Sequence, residues 1–189
     1  MDSVGLLQRV VDETTSIVDK IDPDQLGEST PCTEWTVRDV LNHITGGSTM
    51  FAISAEQGSV PDDQVAELVG GDNLGDDFKG AWKTASKRAM AVFAQPGVLE
   101  KIVKLPFGEM PAGVALNIAI FDVATHATDL ARATGQTIAD TDLLEDALAM
   151  GREMITPDWR APGVFGPEHE APDGAPVVDR LQAFAGRKV

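Results

Sequence analysis

The feature of this sequence that most constrains the fold is a long apolar segment, Ala112–Ala133, that lies between Pro111 and Gly135. Proline is favoured in the first turn of a helix and glycine just past its last turn, so the segment is predicted to form one uninterrupted helix. This helix is the one that carries the candidate functional residues discussed below.

Helical periodicity recurs along most of the remaining chain. Apolar residues return every three to four positions, the spacing that places them on one side of a helix, in residues 6–21, 37–51, 78–93 and 144–155. Residues 99–107 instead have a β-like pattern that is ended by Pro106 and Gly108. The sequence therefore predicts a mainly all-α fold, in which one short β-hairpin or strand accompanies five helices.

The connections between these segments carry signals of their own. Thr36 is a predicted helix cap, and Asp39 is placed to bond back to it. Residues 58–77 are rich in Gly, Asp and Pro, so we expect a surface connection with one short helical turn near residues 65–69. A proline-rich tail begins at about residue 157. Because no linker is visible, residues 1–189 are expected to form a single domain.

The charge of the chain argues against two classes of partner. The 30 acidic residues against 15 basic ones give a net charge of -15, which repels the phosphates of nucleic acids and anionic lipid surfaces. The first residues lack the basic start of a signal peptide, and the single cysteine, Cys32, cannot form an internal disulfide. We therefore expect a cytoplasmic protein with no nucleic-acid or membrane partner.

Polar groups interrupt the apolar side of the Ala112–Ala133 helix. Asp122 and His126 lie one turn apart on it, and Asp129 projects close to Asp122. Their neighbours are apolar, and unpaired charge in a core is costly, so partners or a metal ion are expected. His43 flanks the apolar side of the second predicted helix. Two imidazoles and one carboxylate form an open three-ligand set, as in catalytic metal sites, which makes His43, Asp122 and His126 candidate ligands of one divalent ion.

The same residues also allow interpretations without a metal ion. His126 can pair with Asp122 across one helical turn, and His43 can be a histidine at the edge of the core. Asp129 can form an ion pair with Arg132, orient His126 through a hydrogen bond, or serve as a further ligand. Spacing alone leaves these alternatives open.

Three further features are weaker candidates. Cys32 has no histidine or lysine beside it in the sequence to lower its pKa, which favours a packed small side chain over a nucleophile. His169 lies in the proline-rich tail, where a solvated loop is expected. Gly46 and Gly47 each weaken a helix by roughly 1 kcal/mol relative to alanine. Gly47 follows His43 by one turn and could leave room for a substrate, although close helix packing is favoured.

Four stretches of the sequence resemble one protein family. They read TPCTEWTVRDVLNH at residues 30–43, LPFGEMP at 105–111, DVATHATDLARATG at 122–135 and DRLQAFAGR at 179–187. The first is similar to the helix-two signature of the mycothiol-dependent maleylpyruvate isomerase N-terminal type, within the DinB/YfiT-like superfamily. The other three are similar to signatures of its single-domain actinobacterial members, and all four occur in the same order as in that family.

The resemblance implies a four-helix bundle in which a helix-two histidine, and an acidic residue and a histidine on a later helix, hold a metal ion. Those positions fall on His43, Asp122 and His126, and Asp129 is expected to orient His126. Asp122 stands where the isomerase has glutamate, and Thr128 where related members have tryptophan, so the metal distances and one pocket wall are expected to differ. The isomerase also has a C-terminal domain that this chain is too short to contain, so maleylpyruvate isomerisation is not expected.

The resulting hypothesis is a DinB/YfiT-like four-helix bundle, with one additional helix and a short β-hairpin or strand, that binds Zn²⁺ or Ni²⁺. Because the superfamily is associated with metals and thiols, the chain is expected to be an S-transferase that uses a low-molecular-weight thiol such as mycothiol and a small electrophilic substrate. The alternatives are a non-enzymatic metal-binding bundle and a metal-activated hydrolase. Resemblance to superfamily members, which commonly form homodimers, suggests a homodimer.

Overall fold

The computed structural model describes residues 2–160 and 166–189. The helices are α1 (Ser3–Lys20), α2 (Val37–Gln57), α3 (Asp62–Gly70), α4 (Phe78–Phe93), α5 (Ala112–Ala133), α6 (Thr141–Met154) and α7 (Val177–Phe184), and the strands are β1 (Ile102–Leu105) and β2 (Gly108–Pro111). Two short 3₁₀ helices cover Pro23–Gly27 and Pro157–Arg160. The predicted mainly α-helical fold with one short hairpin is confirmed.

The core lies between four of these helices. α2 packs against α4 and α5, and α1 packs against the same two helices, so the four form a bundle. By length and composition α5 is apolar enough to cross a membrane, but 78% of its most apolar stretch is buried inside the fold. The long apolar segment is therefore the central helix of the bundle, and its polar residues lie where the helices meet.

The start of α2 is fixed by the predicted reciprocal cap. The Asp39 backbone N–H donates to the Thr36 hydroxyl at 3.3 Å, and the Thr36 N–H donates to the Asp39 carboxylate at 2.9 Å. Such a cap satisfies two backbone donors at the start of the helix and defines its first turn. His43 follows two turns later, so the cap fixes the position of its backbone on the helix.

The connection between α2 and α4 is more regular than expected. Instead of one turn near residues 65–69 it contains the nine-residue helix α3. The pattern was weak because α3 buries none of its residues and its cap, Pro61, makes no side-chain hydrogen bond. Two asparagines hold its end against α2: the Asn42 amide donates to Gly71 O at 2.9 Å, and the Asn73 N–H donates to Asn42 Oδ1 at 2.7 Å.

The hairpin and the C-terminal segment complete the surroundings of the bundle. Leu105 pairs with Gly108, so Pro106 and Phe107 form the turn, and the Lys104 N–H donates to Gly58 O at the end of α2. α7 packs against α5 and α6. The expected fold had one helix outside the four-helix bundle, whereas the described residues also form α3 and α7 in addition to α6. α7 carries the last residues of the chain back to α5.

Candidate metal centre

The three candidate ligands come together between α2 and α5. His43 Nε2 lies 3.2 Å from Asp122 Oδ1, and His126 Nε2 lies 3.6 Å from the same oxygen. One ligand atom from each side chain lies within 4.8 Å of the other two. Because Zn²⁺ bonds to nitrogen and oxygen are about 2.0–2.2 Å long, one ion can contact all three atoms after small adjustments. The two imidazoles and the carboxylate therefore fit a divalent cation.

The cluster is buried on one side and open on the other. The side chain of His126 is 7% exposed, whereas the side chains of His43 and Asp122 are 39% and 23% exposed. All three line a cavity of about 860 Å³. A set of three protein ligands beside such a cavity leaves coordination positions for small molecules.

Asp129 lies behind the His126 ring, on the side away from Asp122. Its Oδ2 lies 3.0 Å from His126 Nδ1, and its side chain is fully buried. A carboxylate at this distance favours the tautomer in which Nδ1 carries the proton, so that Nε2 keeps its lone pair for the cavity side. The expected hydrogen bond between these two residues is present.

Arg187 is a site residue that the spacing of the sequence did not reveal. Its Nη2 donates to Asp129 Oδ2 at 2.7 Å, and its Nη1 donates to Ala185 O at 2.7 Å. The ion pair between Asp129 and Arg132 considered above is not formed, because Arg132 lies outward and pairs with Asp179. The signal that could have found Arg187 is the C-terminal stretch quoted for the family resemblance, in which this arginine stands last.

The pKa values of Asp122 and His43 depend on each other. Burial raises the pKa of Asp122, but His43 and His126 outweigh it and bring the pKa to about 2. Burial lowers the pKa of His43, and the Asp122 carboxylate more than offsets this, so that the pKa lies above its usual value. Without a cation, His43 therefore readily holds a proton and pairs with Asp122. A cation has to displace that proton, so binding should strengthen as pH rises.

The indole ring of Trp35 lies against both imidazole rings of the cluster. Its ring stacks on His126 with centroids 5.5 Å apart and planes 13° apart, and it lies 4.9 Å from the His43 ring. Two contacts from Thr30 to Trp35 O, at 3.0 and 3.1 Å, hold the loop before α2 in place. The sequence around Trp35 favours only a packing role at the start of α2, because an apolar residue just before a helix cap often packs against the first turn of that helix.

Cys32 lies closer to the cluster than its sequence neighbours suggested. Its Sγ and one ligand atom each of His126 and Asp129 lie within 4.8 Å of one another. Burial raises the pKa of the Cys32 thiol, and the nearby Arg187 guanidinium reduces this rise without cancelling it. The thiol is therefore neutral near pH 7, which agrees with a packed side chain rather than a nucleophile.

The remaining candidates from the sequence differ in whether they lie beside the metal centre. His169 belongs to none of the potential metal-binding groups within the described ranges, and its backbone N–H donates to Ala183 O at 2.9 Å. A Cβ added to Gly46 would lie 2.2 Å from Leu68 O, so Gly46 allows α3 to pack closely on α2. A Cβ added to Gly47 would meet nothing within 4 Å, and Gly47 lines the cavity. Close packing was the favoured interpretation of Gly47, and it is wrong.

Comparisons with known proteins point to one family. The sequence model of the mycothiol maleylpyruvate isomerase N-terminal domain matches residues 7–131. Two proteins of Mycobacterium tuberculosis strains, both described as uncharacterized, are 37% identical over 195 aligned positions that cover all of this chain and all of theirs. The crystal structure of the mycothiol-dependent maleylpyruvate isomerase matches with a TM-score of 0.69 at 17% identity, over 87% of this chain and 72% of that one. A histidine-to-alanine mutant of that isomerase matches with the same TM-score at 16% identity, which shows a shared fold.

Proposed function

The chain belongs to the mycothiol maleylpyruvate isomerase N-terminal domain family, and from this membership we propose that it is a cytoplasmic, metal-dependent enzyme that joins a low-molecular-weight thiol to a small electrophile. The observation that carries the proposal is the position of His43, Asp122 and His126 on the wall of a cavity of about 860 Å³. A cavity of this size is large enough for a drug-sized ligand. Mycothiol is the proposed thiol, because the structural relatives are mycothiol-dependent.

In this proposal His43, Asp122 and His126 hold Zn²⁺ or Ni²⁺ through Nε2, Oδ1 and Nε2. A bound divalent cation supplies a Lewis acid that lowers the pKa of a thiol toward neutral pH. Asp129 keeps the His126 Nδ1 proton in place, and Trp35 covers the two imidazole rings and excludes water from that side. Arg187 balances the buried charge of Asp129.

The reacting thiol is proposed to come from outside the chain. Cys32 is the only cysteine of the sequence, and burial keeps its pKa above the usual value, so it is a poor nucleophile near pH 7. A small thiol entering the cavity instead reaches the open side of His43 and Asp122. The sulfur of that thiol forms a bond to the electrophilic carbon as a leaving group departs from that carbon with its bonding electron pair, and the thiol proton passes to solvent.

Two other functions fit the metal centre less well. A non-enzymatic bundle needs a metal or ion-pair cluster for stability but no large cavity beside it. A metal-activated hydrolase needs a water molecule in place of the thiol, and hydrolysis of ester or amide substrates that stops on addition of a chelator would favour it. The size of the cavity and the thiol dependence of the structural relatives favour thiol transfer.

The proposal is tested by metal uptake and thiol binding in three proteins. Wild type, His126→Ala and the control His169→Ala are purified metal-free, loaded with Zn²⁺ and titrated with mycothiol by calorimetry. We expect wild type and His169→Ala to bind one Zn²⁺ and the thiol, and His126→Ala to bind neither tightly. Equal Zn²⁺ uptake by His126→Ala and wild type would refute the ligand assignment. Absence of binding to the zinc-loaded wild type at millimolar mycothiol would refute the thiol.

A further inference from the structure

The cavity beside the metal centre has a second wall that is aromatic. Phe51 of α2 lies 6.3 Å from the ring of Phe107 at the hairpin turn, and Phe107 lies 6.0 Å from the ring of Trp159. All three side chains line the cavity. Phe107 remains 38% exposed, although an exposed phenylalanine gains nothing from contact with water. An apolar ligand in the cavity would cover part of this ring.

A smaller cavity of about 150 Å³ adjoins the same wall. Its described lining is apolar throughout and consists of Val114, Ile118, Phe121, Met154, Ile155 and Trp159. Ile118, Phe121 and Trp159 line both cavities. The aromatic wall therefore continues into an apolar recess with room for a few carbon atoms.

The charges around the cavity are poorly suited to an anionic ligand. Among the described lining residues, Arg187 is the one arginine or lysine, whereas Glu34, Asp39 and Asp122 are acidic. The Arg187 guanidinium is already bonded to Asp129 and to Ala185 O. A carboxylate on the substrate would lose its hydration without gaining a free guanidinium or ammonium partner from the chain, and the His43 imidazole is already paired with Asp122.

We propose that the electrophilic substrate is an uncharged, largely apolar molecule, such as a substituted arene, whose apolar part lies against Phe51, Phe107 and Trp159. This inference rests on the proposed thiol transfer. For an aryl halide, the sulfur forms a bond to the ring carbon, the carbon–halogen bond breaks, and halide leaves with the bonding electron pair. The thiol proton is released to solvent, so atoms and charge balance.

The apolar site is tested first by binding, without thiol, so that the result does not depend on the reaction. The protein as purified is titrated by calorimetry with two unreactive ligands of similar shape, uncharged 2,4-dinitrotoluene and anionic 3,5-dinitrobenzoate. We expect the uncharged ligand to bind at least about tenfold more tightly, the factor that corresponds to about 1.4 kcal/mol. Equal affinities, or tighter binding of the anion, would overturn the proposal.

A matched pair of variants locates the site. Phe107→Asp places a carboxylate on the aromatic wall. Ile102→Asp places a carboxylate on the same hairpin, but at a side chain that is 61% exposed and outside the described cavity lining. We expect Phe107→Asp to weaken binding of 2,4-dinitrotoluene roughly tenfold, the scale of losing one buried aromatic contact. Ile102→Asp should bind as wild type does. Equal weakening by both variants, or by neither, would exclude this wall as the binding surface.

Turnover then separates this inference from the function on which it rests. The zinc-loaded protein with mycothiol receives either 1-chloro-2,4-dinitrobenzene or 4-chloro-3,5-dinitrobenzoate, and each rate is divided by the rate without protein. Faster relative conjugation of the uncharged arene supports both proposals. Conjugation that favours the anion would overturn the substrate class and leave thiol transfer standing. Selective binding without any conjugation would refute thiol transfer and leave an apolar ligand site.

Discussion

His126 Nδ1 and Asp129 Oδ2 lie 3.0 Å apart in the interior of the bundle, and the same carboxylate oxygen accepts a hydrogen bond from Arg187. The imidazole that faces the cavity is thus held from behind by a carboxylate that is itself held by a guanidinium. Groups behind a metal ligand tune its orientation and basicity, and their loss typically lowers metal affinity by about 10- to 100-fold.

Asp129→Asn should lower Zn²⁺ affinity by about 10- to 100-fold without removing a ligand. Asparagine keeps the shape of the side chain but loses the charge that holds the Nδ1 proton, and it leaves Arg187 without its anionic partner. Affinity is measured by competition with a chromophoric chelator. Asp179→Asn on α7, which breaks the ion pair with Arg132 of α5, is the control and should bind Zn²⁺ as wild type does. An unchanged affinity in Asp129→Asn would show that this hydrogen bond plays no part in metal binding.

Much of the candidate site could be predicted because its residues lie at regular spacing on two well-marked helices. Asp122 and His126 share one side of α5, and the cap at Thr36 sets the position of His43. Arg187 could not be predicted in this way, since it is separated from Asp129 by 58 positions and reaches it only after α7 has packed on α5. Such long-range contacts have no periodic signal in the sequence.

Two features next to α2 were misjudged for a common reason. Gly47 was expected to allow close packing, and α3 was expected to be a single turn. Both depend on how the connection between α2 and α4 packs on α2. That packing is decided by a few specific hydrogen bonds, such as the one between Asn73 and Asn42, rather than by a stripe of apolar residues. The main helices and the hairpin, in contrast, are decided by burial, which leaves a regular pattern of apolar residues.

The metal-free protein should be most stable between about pH 4 and pH 6.5. The pKa of Asp122 is lowered to about 2 in the folded state, so its contribution is present above its unfolded pKa, about 3.9, and is lost as pH falls toward 2. The pKa of His43 is raised, so its contribution is present below its unfolded pKa, about 6.5, and is lost as pH rises through the folded value.

This profile is measured by urea unfolding of the chelator-treated protein from pH 2.5 to pH 8. Asp122→Asn removes both the carboxylate whose pKa is lowered and the negative charge that raises the pKa of His43, so the variant should show a flatter dependence on both sides of the optimum. Glu145→Gln breaks an exposed ion pair with Arg180 and is the control. A variant profile parallel to that of wild type at both ends would contradict the assigned charges.

The neighbouring glycines of α2 should respond in opposite directions to the same substitution. Gly46→Ala forces a methyl group against Leu68 O, 2.2 Å from the ideal Cβ position, and should lower the free energy of unfolding by about 1–3 kcal/mol. Gly47→Ala meets nothing within 4 Å and should raise it by up to about 1 kcal/mol, because alanine favours a helix interior. Urea unfolding measures both changes, and equal effects of the two substitutions would contradict the packing described here.

Two buried threonines have hydroxyl groups that should not contribute to stability. The hydroxyls of Thr45 and Thr125 have no hydrogen-bond partner within the described part of the chain, and both residues are 3% exposed. An unsatisfied buried hydroxyl costs about 1–3 kcal/mol, so replacing it with the apolar group of similar shape should be neutral or stabilising. Thr45→Val and Thr125→Val should therefore unfold at equal or higher urea concentration than wild type.

Only Thr125 lines the cavity, so the two variants should differ in function. If a bound ligand supplies the missing partner of the Thr125 hydroxyl, Thr125→Val should raise the KM for the electrophile by about 2- to 10-fold, the value of one ordinary hydrogen bond. Thr45→Val should leave KM unchanged, because its side chain is buried in α2 away from the cavity lining. An unchanged KM in Thr125→Val, with normal stability, would show that this hydroxyl does not contact the substrate.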